Sequence, residues 1–151
     1  MQLYVDMDGV LADFDAHHAT VFGVRADKVL DNVDWAAVRA IPGFYADIPP
    51  MDDLPALWAA IEHHRPIVLT GVPGSVEEAP ENKRGWVRRH LGAHVEVICC
   101  RSREKSRFAK PGDVLIDDWE RYRQLWLDRG GHWITHRSAA DTITELRALG
   151  L

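Results

Sequence analysis

Two carboxylate pairs are the residues most able to do chemistry. Asp6-Met7-Asp8-Gly9 follows one short apolar run, and Asp117-Asp118 follows another. In an open parallel sheet, ligands bind beyond the carboxyl ends of the strands, where the strand order reverses. Carboxylates that converge there repel one another unless a cation sits among them. Three or four oxygen ligands, with water completing the shell, suit Mg²⁺. A single Asp after a strand is ordinary helix capping. Two strand ends that each carry a pair ask for more than capping. The spacing Asp6-x-Asp8 adds a second reading, because residues i and i+2 leave a strand on the same side. One carboxylate can then attack while the other moves a proton. Gly9 lets the chain turn sharply after the strand.

Other chemistry-bearing residues carry weaker signals. The run from Arg101 to Lys110 offers two lysines, Lys105 and Lys110, that could neutralise an anion. Eight histidines include the adjacent pairs His17-His18 and His63-His64, which cannot share one helical face. There is no H-E-x-x-H motif or Cys/His grid, so zinc is not expected. Gly71-x-x-Gly74 is too short for a P-loop, and Ser75 and Ser102 lack a nucleophile elbow.

The elements that must position these residues alternate along the chain. Residues 2–5, 66–69, 95–99, 114–116 and 132–135 read as short apolar strands. Helical patterns cover 10–22, 27–41, 54–64, 82–91, 119–128 and 138–149, with Ser138 as an N-cap for the last. In the pattern over 27–41 the apolar positions include Val29, Leu30 and Val33. In the helix over 82–91, Trp86, Val87 and Leu91 form the apolar side, and Lys83, Arg84, Arg88 and Arg89 are assigned mostly to the other. Strands alternating with helices imply an α/β fold with parallel pairing. Apolar strands without alternation imply helices on both faces of the sheet. Residues 15–55 are mostly helical and far longer than a minimal crossover. They read as an insertion over the functional edge of the sheet.

Composition bounds the partners. The 151 residues fit one domain. With 18 Lys and Arg against 23 Asp and Glu, the net charge is −5, which disfavours a nucleic-acid polymer as partner. The two cysteines, Cys99 and Cys100, are adjacent and cannot staple distant segments, so a reducing, cytoplasmic setting is expected. No signal peptide is visible, and no apolar run reaches the ~18 residues that span a membrane. Six tryptophans are many for this length. Trp58, Trp86 and Trp126 fit helical core positions, whereas Trp35, Phe44 and Tyr45 lie in the insertion as candidate substrate contacts.

The stretch from Val5 to Phe14 (V-D-M-D-G-V-L-A-D-F) resembles the first motif of haloacid-dehalogenase-type phosphatases. More narrowly it resembles the 5′(3′)-deoxyribonucleotidase branch and its bacterial relatives. Leu69-Thr70-Gly71 resembles the second motif, and the stretch from Asp113 to Asp118 the fourth. Lys83-Arg84-x-Trp86-Val87 resembles a helix of that branch. The resemblance implies a three-layer Rossmann-like core with strand order 3-2-1-4-5 over residues 1–14 and 56–151. A small helical cap over 15–55 would be inserted after strand 1, all in one compact unit. It implies a Mg²⁺-dependent phosphomonoester hydrolase that works through an aspartyl-phosphate.

Asp6 would be the nucleophile and Asp8 the general acid and base. Asp6, Asp8 through its backbone carbonyl, Asp117 and Asp118 would form the metal site. Thr70, Gly71, Lys105 and Lys83 would face the phosphate. Lys105 is preferred to Lys110 because Lys105-x-x-Phe108-Ala109-x-Pro111-Gly112-Asp113 resembles bacterial relatives with the lysine first. The insertion is shorter than in the well-known members, and Trp119 stands where they tend to have Arg. A nucleotide substrate therefore competes with a sugar phosphate or another small phosphomonoester. A rival from another class is a non-catalytic phosphoacceptor or binding protein. Receiver-type domains lack a second carboxylate two residues after the acceptor, so Asp8 favours turnover.

Overall fold

The computed structural model describes residues 1–27 and 31–151. Five strands form one parallel sheet: β1 (Leu3–Val5), β2 (Ile67–Gly71), β3 (Val97–Cys100), β4 (Val114–Asp117) and β5 (His132–Thr135). Their order is β3-β2-β1-β4-β5, as expected. The chain leaves β1 for β2 and β3 on one side, then crosses back to β4 on the other. The reversal therefore lies at β1, with Val5 level with Val68 and Ile116.

The two faces of the sheet explain why its strands are apolar throughout. Leu3, Val5, Val68, Val114 and Ile116 belong to one buried cluster. Their neighbours Tyr4, Leu69 and Leu115 belong to a second cluster on the opposite face. The first face is covered by α3 (Leu54–Ile61), α4 (Ala79–His90) and α6 (Ala139–Ala148), through Leu57, Ile61, Trp86, Val87 and Leu146. The second is covered by α5 (Arg123–Leu127), with Trp126 against Tyr4 at 5.4 Å between rings, and by the 3₁₀ segment Ser102–Phe108. Each of these fully buried side chains is worth about 1.5–3 kcal/mol of transfer free energy. The three-layer α/β arrangement follows from covering both faces.

Several element boundaries differ from the sequence pattern. The helix expected from residue 10 begins only at Phe14, as α1 (Phe14–Phe22). Asp13 caps it by accepting from the Ala16 amide at 2.9 Å, and Gly23 closes it in the left-handed region. Val10, Leu11 and Ala12 instead form a fully buried turn whose amides bond to the Met7 carbonyl. Within the expected helix 27–41, the described residues are helical only in α2 (Trp35–Arg39). Asp34 caps α2 by accepting from the Ala36 and Ala37 amides, while Val29 and Leu30 lie outside the described residues. The helix expected over 54–64 ends its α-part at Ile61 and tightens to a 3₁₀ turn, Glu62–His64. The helix expected over 119–128 is split into a 3₁₀ turn, Glu120–Tyr122, and α5.

Residues 15–55 share the main core: Val38, Phe44, Tyr45 and Ile48 join the same apolar cluster as Leu57 and Trp86. The Trp86 indole donates to the Ile48 carbonyl at 2.7 Å. No helix among the described residues is long and apolar enough to cross a membrane.

Candidate active site

The carboxyl ends of β1, β2 and β4 bring the expected residues together. Asp6 follows β1 directly, and its amide still bonds to the Ile116 carbonyl of β4, which fixes the two strand ends side by side. Asp117 is the last residue of β4 and accepts from the Trp119 amide at 2.9 Å. One carboxylate oxygen from each of Asp6, Asp117 and Asp118 lies within 4.8 Å of the others. Gly9, at φ +81°, passes so close to Asp118 that a Cβ there would stand 2.1 Å from its Oδ2. The turn after β1 thus needs glycine for its conformation and for its approach to a carboxylate.

Lys105 is the buried counter-charge. Its Nζ lies 2.8 Å from Asp6 Oδ1 and 2.7 Å from Asp117 Oδ2. Burial works against its charge, but Asp6 and Asp117 outweigh it and leave the pKa above its ordinary value. Burial pushes the Asp117 carboxyl upward; Lys105 opposes this and Asp6 adds to it, and the net direction is up. Lys110, the other candidate, sits on an exposed turn. Lys105 is carried by the 3₁₀ segment Ser102–Phe108. The ion pairs with Asp6 and Asp117, which fold Lys105 inward, are invisible to a local pattern.

Lys83 departs from its expected place. It is fully buried instead of lying on the polar side of α4. Its Nζ donates to Asp8 Oδ2 at 2.6 Å, Thr70 Oγ1 at 2.8 Å and the Gly71 carbonyl at 2.7 Å. The Tyr45 ring lies 4.8 Å away. The spacing held the signal: Ala79, Lys83, Trp86 and Val87 share the buried stripe of α4 at i, i+4, i+7 and i+8. Thr70 is likewise fully buried beneath Lys83.

A cleft of about 190 Å³ opens over the carboxylates. Asp6, Asp8, Gly71, Lys105 and Asp117 line its floor, and Phe14, Val33, Trp35 and Tyr45 give it an apolar wall. Trp35 and Tyr45 thus stand where a leaving group could touch them. Phe44 is packed against Phe14, His17 and Tyr45 and is not among the lining residues. Ser102, set aside on sequence, lines the same cleft, and its hydroxyl occupies the space a side chain on Gly71 would need. Asp15, Asp27 and Asp31 bring further acidic side chains to the cleft. The cysteines lie outside it. Burial, more than the neighbouring charges, pushes the Cys100 thiol up to about 11.

No protein-family model matches the chain. Two curated proteins are similar to it, both named "Putative 5′(3′)-deoxyribonucleotidase". The one from Bordetella bronchiseptica is 31% identical, over 78% of this chain and 74% of its own. The one from Bordetella pertussis is 30% identical over the same shares. With that identity across most of both chains, this protein belongs to the nucleotidase-like family of these two relatives.

Proposed function

We propose that this protein is a Mg²⁺-dependent phosphomonoester hydrolase of haloacid-dehalogenase type that works through an aspartyl-phosphate on Asp6. The observation that carries the reading is the set Asp6, Lys105 and Asp117 at the strand-order reversal, with Asp8 two residues on and paired to its own lysine. In the first step a carboxylate oxygen of Asp6 attacks phosphorus, and the bond to the leaving oxygen breaks. Asp8, protonated, gives its proton to the departing alkoxide. In the second step Asp8, now a carboxylate, takes a proton from water as that water attacks phosphorus. The acyl–phosphate bond breaks, inorganic phosphate leaves, and Asp6 is regenerated. Splitting the reaction this way replaces one difficult displacement with two easier ones.

A phosphate dianion is repelled by Asp6, so positive charge must meet it. Lys105 is the buried cation beside the nucleophile, and Gly71 and Ser102 line the cleft next to it. The all-oxygen set of Asp6, Asp117 and Asp118 fits a hard divalent cation. Bound there, Mg²⁺ would supply charge neutralisation for the phosphoryl group. The relatives' names, together with the aromatic wall of Trp35 and Tyr45, favour a deoxyribonucleoside or ribonucleoside monophosphate over a sugar phosphate. The decisive experiment is hydrolysis of an aryl phosphate and a panel of nucleotides and sugar phosphates by the native chain and Asp6→Asn. Turnover by the native chain and none by a folded Asp6→Asn is expected. Activity retained in Asp6→Asn would remove the nucleophile assignment, and equal rates on sugar phosphates would remove the nucleotide preference.

A further inference from the structure

Lys83 invites a role that its position in the chain does not suggest. A lysine ammonium has three hydrogens to donate and no more. In Lys83 they point to Asp8 Oδ2, Thr70 Oγ1 and the Gly71 carbonyl, at 2.6, 2.8 and 2.7 Å. The side chain is 0% exposed, and Tyr45 lies over the ammonium. None of its hydrogens remains for a phosphate oxygen in the cleft. Lys105, by contrast, lines that cleft.

We infer that Lys83 is a positioning residue for Asp8 and not a phosphate ligand. The inference rests on the hydrolase reading above and assigns the role of one residue within it. Asp8 is 20% exposed in its side chain and stands just past β1, where it is the Lys83 ammonium that fixes its carboxyl group. The ammonium does so by tying Asp8 to two groups of β2, the Thr70 hydroxyl and the Gly71 carbonyl. The acid/base is thereby held against a strand that does not bear the nucleophile. Asp8 can pivot neither into the metal trio nor away from the leaving oxygen. Thr70 shares this task from beneath, as an acceptor for Lys83. Holding a catalytic group in reacting geometry carries a large share of a rate enhancement, and a 1 Å misplacement can cost about 10²-fold.

The test separates proton transfer from phosphate binding. Lys83→Met keeps the length and apolar stem of the side chain. It is compared with the native chain on an alkyl phosphate, which needs a proton on its leaving oxygen, and on p-nitrophenyl phosphate, which hardly does. Inhibition by inorganic phosphate reports ground-state binding. The expected result is a fall of about 10²-fold or more in kcat/KM for the alkyl ester and under about tenfold for the aryl ester. The phosphate inhibition constant should stay within about threefold. Lys83→Met combined with Asp8→Asn should lose no more than Asp8→Asn alone, because both act through one group.

A phosphate inhibition constant raised in step with equal losses on both esters would overturn the inference in favour of direct phosphate binding. Equal losses on both esters with phosphate binding unchanged would leave only a structural role and overturn it too. If Lys83→Met does not fold, Thr70→Val removes one anchor of the ammonium and keeps the charge. It should show the same ester selectivity at smaller amplitude, and a loss without selectivity refutes the positioning role. Absence of turnover by the native chain on either ester would instead defeat the hydrolase reading.

Discussion

Replacing Gly9 by alanine should disarm the site through geometry alone. Gly9 has φ +81°, a region that costs an L-residue about 1–2 kcal/mol. For a chain of this size each kcal/mol lowers Tm by about 2–4 °C, so a fall of about 2–8 °C is expected. The second effect is local. The new Cβ would lie 2.1 Å from Asp118 Oδ2 and 2.6 Å from its Cγ. To reach ordinary contact at about 3.5 Å the carboxylate must retreat by about 1.4 Å, out of the trio it forms with Asp6 and Asp117. Misplacing one group that orients a metal typically costs about 10–100-fold in metal affinity or activity.

The matched control for Gly9→Ala is Gly112→Ala. Gly112 has φ +85°, but a Cβ there would meet nothing within 4 Å. The assay is thermal melting, followed by aryl phosphate hydrolysis across a Mg²⁺ titration. Both variants should melt lower, and only Gly9→Ala should need about tenfold or more Mg²⁺ for half-maximal rate. If Gly9→Ala keeps the native Mg²⁺ dependence, Asp118 has no part in holding the metal.

Other perturbations bear on other parts of the site. Asp8→Asn should still form the phosphoenzyme from an aryl ester but release phosphate slowly, so that acid-quenched protein retains label; native steady-state rates would contradict the acid/base role. Lys105→Met removes the partner of two buried carboxylates and should cost about 3–5 kcal/mol in urea unfolding, whereas Lys110→Met on its exposed turn should cost almost nothing. Chelation with EDTA should stop hydrolysis and Mg²⁺ should restore it. His136 is buried against Thr142, and burial, opposed by Asp53 and Asp141, lowers its pKa below the usual 6.5. As the pH drops below 6.5 the unfolded chain binds a proton that the folded ring resists, so stability falls. His136→Gln should flatten the loss between pH 7 and 5, and an unchanged slope in urea unfolding would show that His136 does not contribute.

The strands and the two carboxylate pairs were legible because they rest on short-range rules, whereas the strand order came only with the resemblance of the motifs. Apolar runs of a few residues declare buried strands, and Asp6-x-Asp8 and Asp117-Asp118 declare themselves by type and spacing. Boundaries were less legible where a local cap competed with the pattern, as at Asp13, which starts α1 four residues after the apolar run begins. The stretch over residues 15–55 was least legible. Phe44 and Tyr45 are neighbours of the same kind, yet Phe44 is locked among aromatic rings and Tyr45 reaches the cleft.

By itself, the sequence determined the α/β class, the parallel pairing and the acidic pairs that end two of the strands; the resemblance of its motifs added the order that reverses at β1. Only the tertiary structure decided which cations answer those acids. Lys105 turns inward from a basic 3₁₀ segment, Lys83 turns inward from α4, and Lys110 remains in water. A charged side chain has no intrinsic preference for the interior; it goes there when carboxylates from other segments offset its desolvation. Those partners lie far away along the chain, at Asp6 and Asp117 for Lys105 and at Asp8 for Lys83, so the choice is made when the strands align.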